Sequence, residues 1–425
     1  MQKKVIALAV AALASSAAFA QTNVTVYGVA DASFENIRAT GATDLTTVAA
    51  TNASQEANSR NRITSNSSYI GFKGVEDLGN GLKAVFQIET QLALDNANDP
   101  SAGTRANSLA NRDSYVAVAG NFGTVAMGYL STPHRNLGAA WDVMPGATGV
   151  AGFNNLLGKI NTGASLQANG TTANTTAGNT NTIFRSQALA YISPTIAGFN
   201  GVLAYVPNEN KATNTNATPG AGVNTYEQNT SAWNLGLNYA YGPFKGGYSY
   251  LRQNDPIPAL GAGIFAANDG GKLTSHLVAG KVTFGDLTLG LAYNRNRIEV
   301  DTFGNNANAV GVNSIKNSVW AAEAKYVLGK SEIAAMYQRA SDGSVEAVNN
   351  AANTANSSDR GAAAYALRYG YNMSKRTQAY ALYSKISNDK NGNYDFGAGT
   401  GIGNQQAVSA GSNISAFGVG LRHSF

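Results

Sequence analysis

The sequence predicts an all-β fold, a 16-stranded antiparallel transmembrane β-barrel, from three observations. Many segments of about ten residues alternate apolar residues with small or polar ones, which is the signature of barrel strands. The connections between these segments are short and long in turn. Only 13% of the 425 residues are charged, about half the proportion usual in soluble domains.

The composition fits such a barrel and argues against several other classes of protein. Gly (47) and Tyr (20) are frequent, whereas Pro (9) is rare. The absence of Cys excludes disulfides and thiolate metal sites, and no motif predicts a cofactor. The formal charge is +5, and it falls to about +3 when Lys3 and Lys4 are left out, since both lie in a segment that we expect to be removed. This charge is too weak and too scattered for nucleic-acid binding.

Residues 1–20 predict a cleavable signal peptide. Lys3 and Lys4 form a positive start, an apolar run of about ten residues follows, and Ala18-Phe-Ala20 has the form of a cleavage site. The apolar run is too short for a spanning helix, which needs about 20 residues. We therefore expect the mature chain, 21–425, to be the barrel, because only a closed sheet otherwise satisfies backbone hydrogen bonds in lipid.

The alternation predicts the strands in order. In one example, Trp233, Leu235 and Leu237 share a face that Asn234 opposes. The sixteen segments lie near 23–37, 62–75, 82–94, 109–119, 123–131, 182–192, 199–206, 232–241, 244–253, 272–284, 287–298, 316–328, 331–340, 361–372, 376–387 and 413–425.

The connections favour a membrane barrel over a soluble sandwich. Seven are short, and they are expected to face the periplasm; eight are long and rich in Asn, Gly, Ala and Thr, and they are expected to face outside. The long ones are 38–61, 95–108, 132–181, 207–231, 254–271, 299–315, 341–360 and 388–412. Sixteen strands are enough to enclose an aqueous channel.

The last segment is an amphipathic strand that ends in Phe425. An aromatic residue closing an alternating strand at the chain end is typical of outer-membrane barrels. We expect this strand to contact the outer-membrane barrel assembly machinery, and the apolar outer face to contact lipid and lipopolysaccharide.

Several motifs resemble the general diffusion porins of Gram-negative bacteria, in their β-proteobacterial branch. The most specific is Gly71-Phe-Lys-Gly-Val-Glu-Asp-Leu-Gly79, which looks like the family's second strand and first turn. Asn111-Arg-Asp-Ser-Tyr-Val116 and Gly120-Asn-Phe-Gly-Thr-Val125 match the hairpin of its fourth and fifth strands. The resemblance covers nearly the whole mature chain, and it implies a homotrimer that passes ions and small hydrophilic solutes by diffusion.

The resemblance also implies a pore constriction. In the family the third long loop, here 132–181, folds into the barrel, and its acids face wall arginines. Arg185 and Arg112 match basic wall positions. Tyr69 and Tyr129 stand where the family usually has arginine.

Two further residues complete the predicted constriction. Lys73 is expected to point into the lumen because it alternates with Ile70 and Phe72. Asp142 is the one acid in the front part of the third loop. One loop acid against several cations predicts a weak preference for anions.

Each assignment has an alternative reading. The two tyrosines would equally suit ordinary packing in the barrel, Arg185 a rim contact to lipid phosphate, and Asp142 a turn. Arg38, Arg60 and Arg62 border the first loop and are predicted as surface charges.

Three other functions remain as alternatives. A substrate-specific channel is the main one, because such barrels use aromatic tracks. An adhesive surface protein is another, with its loops as the contact surface. A barrel enzyme is disfavoured, since no nucleophile or metal motif surrounds the three His, and it would require His276 in the lumen beside a Ser and an acid.

Overall fold

The computed structural model describes residues 23–43, 57–95, 109–144, 149–161, 179–209, 211–218, 222–255, 271–300, 311–348, 358–396 and 410–425. The predicted signal peptide, 1–20, lies outside these ranges. No helix in the described ranges is long and apolar enough to cross a membrane.

The described residues form twenty-two strands and one α-helix. The helix, α1, is Pro133–Trp141. The strands are β1 (Asn23–Thr40), β2 (Ala57–Ser65), β3 (Tyr69–Gly79), β4 (Leu82–Gln91), β5 (Ser114–Gly120), β6 (Gly123–Ser131), β7 (Lys159–Asn161), β8 (Asn179–Asn181), β9 (Arg185–Ile192), β10 (Phe199–Val206), β11 (Ala212–Thr218), β12 (Gly222–Gln228), β13 (Ser231–Tyr241), β14 (Phe244–Asn254), β15 (Gly271–Phe284), β16 (Leu287–Val300), β17 (Gly311–Leu328), β18 (Ser331–Ala340), β19 (Ser344–Val348), β20 (Ala362–Asn372), β21 (Thr377–Asn388) and β22 (Asn413–Ser424).

These strands build a closed antiparallel barrel of sixteen strands, which confirms the predicted fold class. β2 and β3 both pair with β1 and are two parts of one barrel strand. β18 and β19 both pair with β17 and form another. The barrel closes where β22 pairs with β1 from Val29↔Ser424 to Thr40↔Asn413. The short strands β7, β8, β11 and β12 pair outside the main sheet.

The seven short turns lie where the sequence predicts them. Three are two-residue turns that begin with Gly242, Gly285 and Gly329, at φ 55°, 56° and 59°. Left-handed glycine gives a turn whose twist matches that of the flanking strands. The turns therefore join neighbouring strands tightly, for example Tyr241↔Phe244.

The two faces of the barrel differ as the alternation predicts. Leu291, Trp320 and Leu367 are large apolar side chains on the outer face, 68%, 47% and 53% exposed. Their neighbours on the inner face are small or polar, such as the buried Asn234 and Ser275. An apolar outside and a polar inside is the arrangement of a membrane barrel around water.

Several predicted strands and loops need correction. Two strands begin earlier than predicted, at Ala57 instead of 62 and at Gly311 instead of 316. The second predicted strand, 62–75, is interrupted between Ser65 and Tyr69. The fourth, 109–119, begins only at Ser114, since Ala110 takes φ 62° and leaves the extended region. The predicted loop 207–231 contains the β11–β12 hairpin, whose Asn- and Thr-rich strands lack apolar alternation. The predicted loop 341–360 contains β19.

The described parts of the third long loop, 132–144 and 149–161, pack inward along the barrel wall. Its helix α1 follows β6 and packs against β13, β14 and β15. Leu137, Trp141 and Phe153 of the loop are buried in one cluster with inward residues of the wall such as Ala279 and Ala321. Small wall residues leave room for the loop's larger side chains, and their contact removes apolar surface from water.

Candidate functional site

Polar side chains on the inner wall fix the start of the third loop. The amide of His134 donates to Asn234 Oδ1 at 3.0 Å, and its ring Nε2 lies 2.9 Å from Ser275 Oγ. Burial lowers the pKa of His134 to about 3, so the ring is neutral at physiological pH. It therefore anchors the helix and adds no charge to the lumen.

Wall amides also hold the later part of the loop. Gln338 Oε1 accepts hydrogen bonds from the amides of Leu156 and Leu157, both at 3.0 Å. Asn317 Nδ2 donates to the carbonyl of Lys159 at 2.9 Å. Buried backbone groups need such partners. The loop is thus docked by hydrogen bonds on β17 and β18 as well as by apolar contact.

One group of charges lies on β4, β6, β9 and the segment before β5. Arg112 Nε lies 3.4 Å from Glu89 Oε2, and its guanidinium carbon is 4.6 Å from the centroid of the Tyr69 ring. The structure therefore brings two predicted site residues together as a cation–π pair. In this pair the guanidinium of Arg112 lies over the ring of Tyr69.

Arg185 joins the same group through a second ion pair. Its Nε lies 2.6 Å from Asp113 Oδ2, and that carboxylate also accepts from Ser131 Oγ at 3.0 Å. A charge-assisted bond of this length holds the guanidinium in one orientation. Arg185 and Asp113 are both partly buried.

Arg135 on α1 completes this group, which we call the arginine cluster: Arg112, Arg135 and Arg185. Burial lowers the pKa of Arg135 to about 10, and repulsion from Arg185 and Arg112 acts in the same direction. Arg135 thus remains charged at neutral pH. Tyr129 is close enough to act electrostatically on Arg135, and it lies opposite Ser114 and Gln187 in the sheet.

Lys73 lies near the arginine cluster but outside it. Its Nζ is 5.0 Å from the centroid of the Tyr27 ring, and Tyr27 Oη donates to Glu89 Oε1 at 2.9 Å. Lys73 is exposed. Because the Tyr27 ring contacts both Lys73 and Glu89, the two side chains lie on the same side of the sheet. An open space of about 450 Å³ adjoins the group, lined by Asp113, Tyr115 and other inward residues.

Asp142 lies in a different part of the lumen, at the end of α1. Its Oδ1 accepts from the amide of Met144 at 2.7 Å, a hydrogen bond typical of Asp in a turn. Burial raises its pKa to about 7, and the positive charges of Lys281 and Arg368 oppose this shift. Glu323 is its acidic neighbour, and Glu323 Oε2 accepts from the amide of Val143 at 3.0 Å.

Sequence reasoning missed several members of these groups. Glu89, Asp113 and Glu323 are the carboxylates that face the cations. Alternation along β4 and β17 indicates the inward positions of Glu89 and Glu323, whereas Asp113 lies just before β5. The prediction of a surface charge is wrong for Arg62, whose Nη2 lies 2.9 Å from the buried Glu35. Within the described ranges, no group of three or more His, Asp or Glu could hold a metal ion.

Comparison with known proteins places this geometry in a family. The family model for Gram-negative porins matches residues 7–392. The major outer membrane protein P.IB of Neisseria gonorrhoeae is 32% identical over 263 residues, which is 61% of this chain and 64% of that protein. The major outer membrane protein P.IA of Neisseria meningitidis serogroup B is 28% identical, and the alignment covers all of both chains.

Solved structures share the fold. The anion-selective porin from Comamonas acidovorans superposes with a TM-score of 0.64 at 20% identity, over 95% of this chain and all of that one. The trimer form of OmpT from Vibrio cholerae gives a TM-score of 0.57 at 15% identity, over 95% and 99%. The sixteen-stranded barrel, its infolded loop and the family match agree. The chain belongs to the Gram-negative porin family and is a porin of the outer membrane.

Proposed function

We propose that this porin is a passive, water-filled channel for ions and small hydrophilic solutes with a weak preference for anions. The observation that carries the proposal is the arginine cluster at the start of the infolded loop. Three guanidinium groups there face two carboxylates, Glu89 and Asp113. A net positive charge in a narrow lumen raises the local concentration of anions.

The third loop, 132–181, is proposed as the constriction. Hydrogen bonds from Asn234, Asn317 and Gln338 support this role, because they hold the loop's described part against the wall. The acids Asp142 and Glu323 lie at the far end of α1 from Arg135. The resulting separation of charge along the helix would orient water and polar solutes.

The alternative of a substrate-specific channel receives less support. An aromatic track requires ring faces that are open to the solute. Tyr69 instead stacks under Arg112 and meets Tyr27 edge-on, with ring centroids 6.1 Å apart. A solute would therefore meet the guanidinium before the ring.

A channel rather than an enzyme is what membership of the porin family implies, and we propose no catalytic site. The feature that would favour catalysis is His276 in the lumen beside a Ser and an acid. His276 is exposed, and its Nδ1 lies 2.8 Å from Tyr248 Oη. Its ring lies 5.0 Å from that of Tyr250, a setting typical of the aromatic belt at a membrane surface.

We also propose that the protein is exported by a cleaved signal peptide and assembles as a homotrimer in the outer membrane. Removal of residues 1–20 would leave Gln21 as the first residue. The trimeric form of the related OmpT fold supports a homotrimer, and the apolar outer face supports contact with lipid and lipopolysaccharide. Phe425, 43% exposed at the closing seam, supports recognition of the last strand by the barrel assembly machinery.

The test is a planar lipid bilayer with purified mature protein. Single-channel steps should be large and should close in groups of three. The zero-current potential across a KCl gradient should favour chloride. A potential that favours potassium would contradict the proposed selectivity, and a small conductance blocked by one solute would favour the specific channel.

A further inference from the structure

Residues 389–396, in the eighth long loop, turn into the barrel after β21. Tyr394 and Phe396 are only 0% and 3% exposed. The main chain of Tyr394 exchanges two hydrogen bonds with the buried side chain of Asn388, its amide donating at 2.7 Å and its carbonyl accepting at 2.9 Å. Its Oη accepts from Nδ2 of Asn317, on β17, at 3.1 Å. The segment is therefore held against the inner wall.

This segment closes over β7, the returning arm of the third loop. Lys159 Nζ, on β7, donates to the carbonyl of Asp395 at 2.6 Å. Asn317 Nδ2, which binds Tyr394, also donates to the carbonyl of Lys159 at 2.9 Å. One side chain of the wall thus ties the third and eighth loops together.

The end of the seventh long loop holds the same arm from a second side. Asn161 Nδ2, on β7, donates to the carbonyl of Arg360 at 3.1 Å, and Arg360 Nη2 donates to the carbonyl of Asn161. The amide of Asp389 donates to the carbonyl of Gly361 at 3.0 Å, which bonds the two outer loops to each other. The returning arm is therefore enclosed by both.

This arrangement buries two cations without salt bridges. Lys159 and Arg360 are 5% and 2% exposed, and within the described ranges neither forms an ion pair with a carboxylate. The hydrogen bonds of their charged groups go to main-chain carbonyls. A charge taken out of water without an opposite charge beside it is costly. Apolar packing of Tyr394 and Phe396 thus favours the closed arrangement, whereas the buried charge of Lys159 opposes it.

We propose that residues 388–396 form a clasp that holds the returning arm of the third loop, and that release of the clasp lets this arm move into the passage and close the channel. The inference rests on the proposed role of the third loop as the constriction, and it assigns control of that loop to an outer loop. Lys159 is the residue through which the two loops are coupled.

The charge of Lys159 makes the clasp sensitive to pH. Burial lowers the pKa of Lys159 from 10.5 to about 8, and the negative charge of Asp395 opposes this shift. Once released into water, Lys159 regains its ordinary pKa, so the released state binds more protons between about pH 8 and pH 10.5. The clasp should therefore tighten as the pH rises through this window, by up to about tenfold in its equilibrium constant for each pH unit. Tyr394 stays neutral over most of the window, since burial raises its pKa to about 12.

The experiment records closures of single channels of the mature protein in KCl from about pH 7.5 to about pH 9.5. Wild type should close about threefold or more less often at the upper end than at the lower end. Lys159→Met has no charge to titrate, so its closing rate should not change with pH. Lys159→Arg stays charged throughout, so it should close often at every pH. Lys330→Met, in an exposed periplasmic turn, is the matched control and should behave as wild type does.

A second pair of variants tests the clasp without titration. Tyr394→Ala removes the buried ring and should raise the closing rate about tenfold or more at every pH. Tyr394→Phe keeps the ring and loses only the hydrogen bond with Asn317, so it should fall between Tyr394→Ala and wild type. Circular dichroism and resistance of the folded barrel to detergent would show that every variant folds.

Two outcomes would overturn the inference: closures with the same pH dependence in wild type and Lys159→Met, or a Tyr394→Ala channel that closes no more often than wild type. These outcomes are distinct from failure of the proposed function, which is read from the zero-current potential in KCl. A chloride-favouring potential with closures that ignore both substitutions would retain the anion-preferring porin and reject the clasp.

Discussion

Arg185 Nε lies 2.6 Å from Asp113 Oδ2, the shortest ion pair among those of the arginine cluster. The carboxylate neutralises one of three guanidinium groups and also accepts from the amide and hydroxyl of Ser131. Asp113 thus limits the net positive charge of the lumen and fixes the direction of Arg185.

Asp113→Asn should increase the preference for anions. The substitution keeps the shape of the side chain and removes one negative charge beside Arg185. A unit charge at this range is worth about 1 kcal/mol in water, or roughly a fivefold change in the ratio of chloride to potassium permeability. Zero-current potentials across a KCl gradient measure the ratio. Asp286→Asn, in an exposed periplasmic turn, is the control, and an equal shift in both variants would contradict this role for Asp113.

Selectivity should depend on pH through Asp142. Burial raises the pKa of this carboxyl from its ordinary 3.8 to about 7, so it is neutral below that pH and ionised above it. Anion preference should therefore weaken between about pH 6 and about pH 8 as negative charge appears in the lumen. Lys281 and Arg368 are the cations that act on it, and Glu323 is its acidic neighbour.

The raised pKa of Asp142 also makes the stability of the folded protein depend on pH. The folded protein retains a proton that the unfolded chain releases, so the contribution of Asp142 is fully present below pH 3.8 and is lost as the pH rises through 7. Asp142→Asn keeps an acceptor for the Met144 amide and removes the titration. It should reduce the pH-dependent change in zero-current potential by about half or more; a change as large as in wild type would assign the effect elsewhere.

Gln338→Leu should loosen the third loop. The change leaves the amides of Leu156 and Leu157 without their acceptor, at a cost of about 1–3 kcal/mol for each buried unsatisfied group. We expect noisier single-channel currents and faster proteolysis within the loop. Gln91→Leu alters an exposed glutamine at the end of β4 and should leave both unchanged. Quiet, protease-resistant Gln338→Leu channels would mean that apolar contact alone docks the loop.

Gly28→Ala should destabilise the seam of the barrel. A Cβ on Gly28 would lie 2.5 Å from Phe425 Cζ and 2.5 Å from the carbonyl oxygen of Tyr69. The Gly28 amide and carbonyl also pair with those of Phe425, both at 3.1 Å. Overpacking of this kind costs about 1–3 kcal/mol, so the folded band on a detergent gel should unfold at lower temperature.

Gly201→Ala provides the matched control for the seam. A Cβ there would have its nearest neighbour, Ser193 Oγ, at 3.8 Å, which is ordinary contact. This variant should unfold at the wild-type temperature. If both alanine variants lost stability equally, the cause would be glycine in a strand and not the close approach of Phe425.

The sequence by itself determined the barrel, its number of strands and its short turns. Alternation reports which residues face lipid because side chains on a strand point to opposite faces in a period of two. Trp233, Leu235 and Leu237 therefore identified an outer face without knowledge of any partner strand. Glycine before a two-residue turn is likewise a local signal, because few other residues adopt positive φ.

Only the tertiary structure decided which charges meet. Arg112 and Glu89 are close because β4 lies beside the segment before β5, and Arg135 joins them because α1 folds back into the lumen. Alternation gives the side on which a residue points but not its height relative to a distant strand or loop. Asp142 illustrates this limit. As the one acid in the front part of the third loop, it was expected to lie opposite the arginines, but the structure places it beside Glu323. Its place is set by the docking of α1, whose His134 is held by Asn234 and Ser275, far along the chain.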